Sequence, residues 1–358
     1  MPDHIFLQGQ KVGKGCPCYV IAEIGSNHNR DIGTAKKLID AAKEAGCDAV
    51  KFQSYTAEGL YSVYTPRPSE IEGRSHPGER LYDLIKRIEM PVAWHRPLKE
   101  YCDQAGISFC STPFDEGMVD VLEQVQVPFY KVASFEITHY PMLRRIARTG
   151  KPVILATGNS GLDDIERAVA CLKDAGCSDL ALLHCVSQYP AREEDMNLRC
   201  MATLVQAFDC VVGLSDHTTN SLSAALSIVL GAAIIEKHIT LDKAAFGPDH
   251  PFALEPDELK ELVTTVRRSE RILGSAVKAV RSSEAENHKI GRRSLVAARD
   301  IAAGELLTED KIAVKRPAFG LHPKYLPVLE GKRLVRDIKK DQWLTWDHFL
   351  NGKDNDVS

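Results

Sequence analysis

The sequence predicts an α/β chain: a (β/α)8 barrel followed by a small β-rich module. Three observations carry this reading. Eight short apolar runs recur between Cys18 and Leu273, each followed by an amphipathic helical stretch. The runs are continuously apolar rather than alternating, as in strands buried on both faces of a parallel sheet. Eight such units in about 250 residues match the size of a closed barrel, with a doubly wound open sheet as the competing arrangement.

The first run, residues 18–25, leads into an Ala/Lys-rich helical pattern from Ile32 to Ala45. Residues 49–53 follow, and then a polar excursion over 54–90. Its 55–78 part is long for a compact domain and reads as a functional lid or a disordered segment. A helix opens near Pro91, because proline is tolerated at a first helical position. The later runs are 107–112, 127–134, 152–157, 180–186, 211–215 and 232–238. The clearest helical patterns between and after them are 163–174, 222–230 and 256–273. After Gly274 the texture changes. Polar residues 282–288 read as a linker, and turn signals from Ser294 to Leu350 separate short strands. The expected division is therefore 1–275 for the barrel and its leader, 276–290 for a linker and 291–350 for the module. Residues 354–358 are expected to fray.

Composition narrows the function. Lys and Arg number 45 against 49 Asp and Glu, a net charge of -4. That near-balance argues against a nucleic-acid or membrane-surface binder, while leaving room for a local basic pocket. Ten cysteines in 358 residues are too few for a disulfide scaffold. Cys18, Cys110, Cys185 and Cys210 sit in apolar runs and read as buried thiols in a reducing compartment. Cys16-Pro-Cys18 lacks the two-residue spacer of a zinc or redox pair. Residues 1–15 hold no signal-peptide core, and no run approaches 18 apolar residues, so the expected location is the cytoplasm.

Barrel chemistry gathers at the C-terminal ends of strands. Here those ends carry Glu23, Lys51, Gln53, Ser111, Thr112, Lys131, Ser134, Glu136, Thr157, His184, Ser187, Ser215, Asp216, His217, Glu236, Lys237 and His238. Lys51 and Lys131 would converge on a phosphate or carboxylate with the hydroxyls of Thr112, Ser134 and Ser215. Alternatively they are ion-paired lysines with Glu23 and Glu136 as partners, or one is a Schiff-base lysine. His217 and His238 lie past consecutive strands. They could hold a catalytic divalent ion such as Mn²⁺ through two imidazoles, or be two satisfied core histidines. Glu23 and Glu136 are candidate acid/base groups or simple ion-pair partners of the lysines. His184 reads as structural.

Several long motifs stand in a fixed order: Ile21-Ala-Glu-Ile-Gly-Ser-Asn-His28, Val50-Lys-Phe-Gln53, Ser111-Thr-Pro-Phe114, Tyr130-Lys-Val-Ala-Ser-Phe-Glu136, Gly213-Leu-Ser-Asp-His-Thr218, Glu236-Lys-His238 and Gly247-Pro-Asp249. In these the chain resembles the sialic acid synthase family, the enzymes that make nonulosonic acids. Its tail resembles that family's antifreeze-like (SAF) domain. The resemblance implies condensation of phosphoenolpyruvate with an open-chain N-acetylated hexosamine, giving a nine-carbon 2-keto acid and phosphate. It implies phosphoenolpyruvate contacts at Lys51, Thr112, Lys131, Ser134, Ser187 and Ser215, and Mn²⁺ or Mg²⁺ at His217 and His238. Glu23 matches the catalytic carboxylate, and Gln53, Glu136, Tyr189 and Asp249 match sugar contacts. Arg316 matches an arginine that reaches the barrel of the other subunit in a domain-swapped homodimer. Ala156 stands where the family often has Ser, so one phosphate hydroxyl is expected to be missing. Ser134-Phe-Glu136 is similar to the pseudaminic acid synthase branch, the favoured reading. Residues 246–250 and 254–256 are more similar to the neuraminate and legionaminate branches. A non-catalytic sugar-binding protein is the alternative from a different class.

Overall fold

The computed structural model describes residues 3–66, 76 and 78–350. Residues 67–75 and 77 of the polar excursion, and the tail at 354–358, lie outside the described residues. The chain divides into two compact units, Met1–Gly274 and Ser275–Ser358.

The first unit opens with a hairpin, β1 (His4–Leu7) and β2 (Gln10–Gly13). Gln8 and Gly9 both have positive φ, the two-residue turn whose twist suits a hairpin. Eight parallel strands follow: β3 (Tyr19–Glu23), β4 (Ala49–Ser54), β5 (Ser108–Pro113), β6 (Tyr130–Val132), β7 (Val153–Ala156), β8 (Leu180–Cys185), β9 (Val211–Asp216) and β10 (Ile234–His238). They are ordered β5-β4-β3-β10-β9-β8-β7-β6. Among the described residues no ladder joins β5 to β6, but the two lie side by side and complete the circle. The expected barrel is therefore the fold observed.

Helices return the chain between strands: α1 (Ile32–Ala45) after β3, then α2 (Ala57–Leu60), α3 (Leu81–Ile88) and α4 (His95–Ala105) after β4. Next come α5 (Glu116–Gln124), α6 (Tyr140–Ala147), α7 (Leu162–Asp174), α8 (Cys200–Phe208), α9 (Leu222–Val229) and α10 (Pro256–Leu273). Local sequence sets their ends. In α1 the Asp31 side chain accepts from Thr34 N, and Gly46 closes the helix in the left-handed region. Its buried residues Ala35, Leu38, Ile39 and Ala42 follow the helical period. In α10, Pro256 starts the helix and Glu255 and Glu258 form a capping box.

Alternation along each strand divides the core. Outward residues such as Val20, Val50, Phe109, Leu155 and Leu182 pack against the helices. Inward residues such as Tyr19, Ile21, Phe129, Ile154, Leu183 and Ile234 fill the barrel, closed at its N-terminal end by Ile5, Leu7 and Val12 of the hairpin. The leader's hairpin, His4–Gly13, is thus a plug.

In the second unit, α11 (Ala285–Gly291) occupies part of the stretch expected to be linker. Antiparallel β11 (Ser294–Ala297) and β12 (Ile312–Lys315) follow, and then α12 (Leu326–Leu329). Leu295, Ile301, Leu307, Leu334, Ile338 and Leu344 form its core.

Candidate active site

Strand register decides which of the polar strand-end residues meet. Side chains alternate across a strand. Glu23, Lys51, Gln53, Thr112, Lys131, Ser215, His217, Glu236 and His238 therefore turn into the barrel mouth, where they line a pocket of about 310 Å³. Their immediate neighbours turn outward. Ser111, counted among the polar strand ends, bonds Ser54, which bonds His95 between strand and helix layers. Asp216 and Lys237 also point away from the pocket and pair with each other. His184 Nε2 lies 2.6 Å from the Met196 carbonyl.

Four buried charges occupy the pocket floor. Lys51 Nζ lies 2.8 Å from Glu23 Oε2 and 3.7 Å from Glu236 Oε1. Lys131 Nζ lies 3.2 Å from the same Glu236 oxygen. The partner of Lys131 is thus Glu236, not the expected Glu136. Lys51 also reaches Thr112 Oγ1 at 3.2 Å, Gln53 donates to Glu23 at 2.7 Å, and Ser215 donates to Glu236 at 3.2 Å. Burial disfavours the Lys51 ammonium, but Glu23 and Glu236 outweigh it and hold the amine above its usual pKa. With two carboxylates facing its ammonium, Lys51 is poorly set up as a Schiff-base nucleophile. It is well suited to an anion.

The two carboxylates are pushed apart. Burial raises Glu23 above the usual carboxylate range, with Lys51 only partly opposing it. Burial acts the same way on Glu236, but Lys131 and Lys51 together pull it below that range. The two carboxyls thus sit in electrostatically different environments. Sequence reasoning placed Glu236 at a strand end without giving it a role. Counting two residues back from His238 would have put both on the inner face.

Beside this quartet, the His217 and His238 rings lie 5.5 Å apart, walled by Tyr189 at 4.3 Å from His217 and Phe252 at 4.8 Å from His238. His217 Nδ1 lies 2.8 Å from the Val186 carbonyl, which directs its other nitrogen elsewhere. Burial, followed by the charges of His217 and the nearby lysines, keeps His238 neutral, and its Nδ1 is buried without a hydrogen-bond partner. Glu236 Oε2 is likewise buried and unpartnered. A neutral imidazole with no hydrogen-bonded Nδ1, an oriented second imidazole and a carboxylate oxygen suit a hard or borderline divalent ion. Among the described residues no cluster of three or more His, Cys, Asp or Glu has metal-binding geometry. Cys185 also lines the pocket, with its Sγ 3.8 Å from His217 Nδ1. Burial pushes its thiol up, but His217 and Lys131 pull it down to about 7.

The remaining predicted residues stand around this floor. Ser134 lines the pocket and accepts from Gly158 N at 2.9 Å. A Cβ on Gly158 would come within 2.3 Å of Ser187 Oγ and 2.9 Å of Ser134 Oγ, so both hydroxyls crowd the space this glycine leaves. Ala156 is buried and brings no hydroxyl; Thr157 donates its own to the Leu183 carbonyl at 2.9 Å. Asp249 accepts from Ser26 N and Oγ at the pocket edge. Glu136 sits half-buried in the 3-10 turn Ser134–Glu136, where burial raises its carboxyl. It is not among the lining residues. Arg316 follows β12 in the second unit and is exposed. Sequence reasoning missed the outer wall: Leu60, Tyr61, Leu81, Leu84, Ile85 and Ile88, all from the polar excursion. A larger cavity of about 710 Å³ opens at the other end of the barrel. Its Glu270 is already taken by Cys18 N and Arg267.

Fold and pocket together define a (β/α)8 barrel whose C-terminal mouth gathers two lysines, two carboxylates and two histidines. The NeuB family model matches residues 38–278 and the SAF domain model matches residues 292–350. The chain belongs to the NeuB family and is an enzyme of the sialic acid synthase type. It is 39% identical to N,N'-diacetyllegionaminic acid synthase of Campylobacter jejuni, over 90% of this chain and 97% of that one. It is 35% identical to pseudaminic acid synthase of Helicobacter pylori, over 92% and 97%. The crystal structure of N-acetylneuraminic acid synthetase from Leptospira borgpetersenii superposes with a TM-score of 0.70 at 34% identity, covering 79% of this chain and 94% of that one. No helix among the described residues is long and apolar enough to cross a membrane.

Proposed function

We propose that the protein condenses phosphoenolpyruvate with an open-chain N-acetylated hexosamine to give a nine-carbon 2-keto acid and phosphate. The observation that carries this reading is the buried quartet in which Lys51 and Lys131 share Glu236 while Glu23 is held at a raised pKa. Lys51, Lys131, Thr112, Ser134, Ser187 and Ser215 neutralise and orient the phosphate and carboxylate. C3 of the enol attacks the aldehyde carbon, and protonated Glu23 delivers its proton to the aldehyde oxygen. The resulting Glu23 carboxylate takes a proton from the water that adds to C2. Collapse of that adduct breaks the C2–O bond and expels phosphate.

His217 and His238 would hold Mn²⁺ or Mg²⁺, a Lewis acid for the acceptor's carbonyl oxygen. Gln53, Glu136, Tyr189 and Asp249 contact the sugar in this reading. Arg316 of the partner subunit completes the pocket in a domain-swapped homodimer working in the cytoplasm. Ser134-Phe-Glu136 favours a pseudaminate-type acceptor. A legionaminate- or neuraminate-type acceptor is the second reading, favoured by residues 246–250, whose Asp249 lines the pocket.

Phosphate release across a panel of N-acetylated hexosamines, with and without EDTA, tests the condensation, the metal and the acceptor. Release should require an acceptor, cease with EDTA and be fastest with the pseudaminate-type sugar. Release with no sugar on the panel overturns the condensation. EDTA-insensitive release removes only the metal, and a faster legionaminate- or neuraminate-type sugar moves the acceptor to the second reading.

A further inference from the structure

Lys237 is a fully enclosed charge in the barrel that the proposed chemistry does not use. It sits between Glu236 and His238 on β10, but alternation turns it to the outer face, where it is 1% exposed. Its ammonium gathers four oxygens from a single stretch of chain. Asp216 Oδ2 lies at 2.9 Å, Thr218 Oγ1 at 3.2 Å and the Asn220 carbonyl at 3.0 Å, and the Thr218 carbonyl accepts a short fourth bond. Asp216 Oδ1 in turn accepts from Thr218 N at 2.9 Å. Every partner belongs to residues 216–220, the exit of β9 that carries His217.

Stability does not explain a lysine here. Burying an ammonium and a carboxylate is costly, and an apolar pair of similar volume is often as stable or more so. What an apolar pair could not do is fix four backbone and side-chain oxygens at once. Asp216 and Lys237 are direct register partners in β9 and β10. The clamp therefore ties the turn bearing His217 to the strand bearing His238, from the side opposite the two rings.

We propose that Lys237 is a positioning residue that sets His217 against His238 through the 216–220 turn. Its link to metal binding rests on the reading of those histidines given above; the order it imposes on the turn does not. The double variant Lys237→Met/Asp216→Leu replaces the pair by apolar side chains. Thr218→Val, which removes one oxygen, is the milder variant should the double variant not fold. Binding of Mn²⁺ alone, followed by the EPR signal of the free ion, should weaken about 10- to 100-fold in the double variant and a few-fold in Thr218→Val. The melting temperature of the double variant should fall by several degrees, because the Thr218 and Asn220 carbonyls and the Thr218 N–H lose their partners. Hydrogen exchange measured by mass spectrometry should show lost protection over residues 217–220 in each folded variant. Wild-type Mn²⁺ affinity together with wild-type protection in the folded variants overturns the proposal. If the wild-type protein itself binds no Mn²⁺, the metal reading falls. The clamp is then decided by exchange alone: lost protection upholds it and unchanged protection rejects it.

Discussion

The two ends of the barrel interior are built by the same strands and could hardly be less alike. On β3, Tyr19 and Ile21 face a dry core closed by the hairpin, while Glu23, two residues on, faces Lys51. On β10, Ile234 lies in that core and Glu236 binds two lysines. The N-terminal end is stabilised by apolar burial, whereas the C-terminal end brings buried like and unlike charges together at a cost. The difference teaches that stability and chemistry are separated along the barrel axis by only one or two residues per strand. Each end should therefore fail in its own way.

The largest effect is expected at the charged end. Glu23→Gln and Glu236→Gln should each lower kcat/KM by roughly 10² to 10⁴ in the phosphate-release assay. Their stabilities should differ. Burial works against the Glu23 carboxylate, and Lys51 keeps Glu236 beside it when Glu23 is replaced, so Gln there should leave the melting temperature within about 2 °C of wild type. Glu236 neutralises both lysines, and its loss leaves buried positive charge uncompensated. A cost of about 3–5 kcal/mol follows, or a fall on the order of 10 °C. Equal melting temperatures for the two variants would break the assignment of roles within the quartet. At the apolar end the pattern reverses. Leu7 is fully buried in the plug. Leu7→Ala should cost about 2–5 kcal/mol in urea unfolding while kcat at 25 °C stays at the wild-type value.

Acid sensitivity should also belong to the charged end. His28, just past β3, is 1% exposed, and its Nδ1 accepts from Arg30 N at 2.9 Å. Burial, with Arg30 adding to it, lowers its pKa to about 4. The unfolded chain binds the proton near pH 6.5, and the folded protein does not until about pH 4. Stability is therefore lost as pH falls through that window. One such site removes roughly 2 kcal/mol between pH 7 and pH 5. His28→Gln should flatten the measured pH dependence by about that amount, and an unchanged slope would move the acid sensitivity elsewhere.

The barrel was legible because parallel strands buried on both faces leave continuous apolar runs, a local signal. The site was legible as a set of strand ends. Which residue of each adjacent pair faces the pocket was not read from the runs. Ser111 and Thr112, Asp216 and His217, and Glu236 and Lys237 look alike in a sequence. Only register and barrel curvature turn Thr112, His217 and Glu236 inward. The partner of Lys131 is also non-local: Glu236 is 105 positions away, and nothing near Lys131 points to it. The plug was missed for a different reason. Ile5-Phe6-Leu7 is an apolar run of only three residues before Gln8-Gly9, a hairpin signal too short to stand out in the leader.

The smallest expected effect tests the boundary between the two ends. Gly158 follows β7 just above inward-facing Ala156, where the core ends and the hydroxyls of Ser134 and Ser187 begin. In Gly158→Ala the added methyl must displace those hydroxyls, which can rotate away, so little stability is lost. The Cys185 carbonyl, 3.1 Å from the same point, is backbone and cannot yield as easily. The variant should therefore fold, with its hydroxyls aimed away from the anion. Losing one or two such hydrogen bonds is worth about 1.5 kcal/mol, so KM for phosphoenolpyruvate should rise roughly tenfold. The kcat at saturation should change by less than about threefold, because uniform binding is what is lost. An unchanged KM would place the anion on Lys51 and Lys131 alone and move the boundary of the site one layer inward.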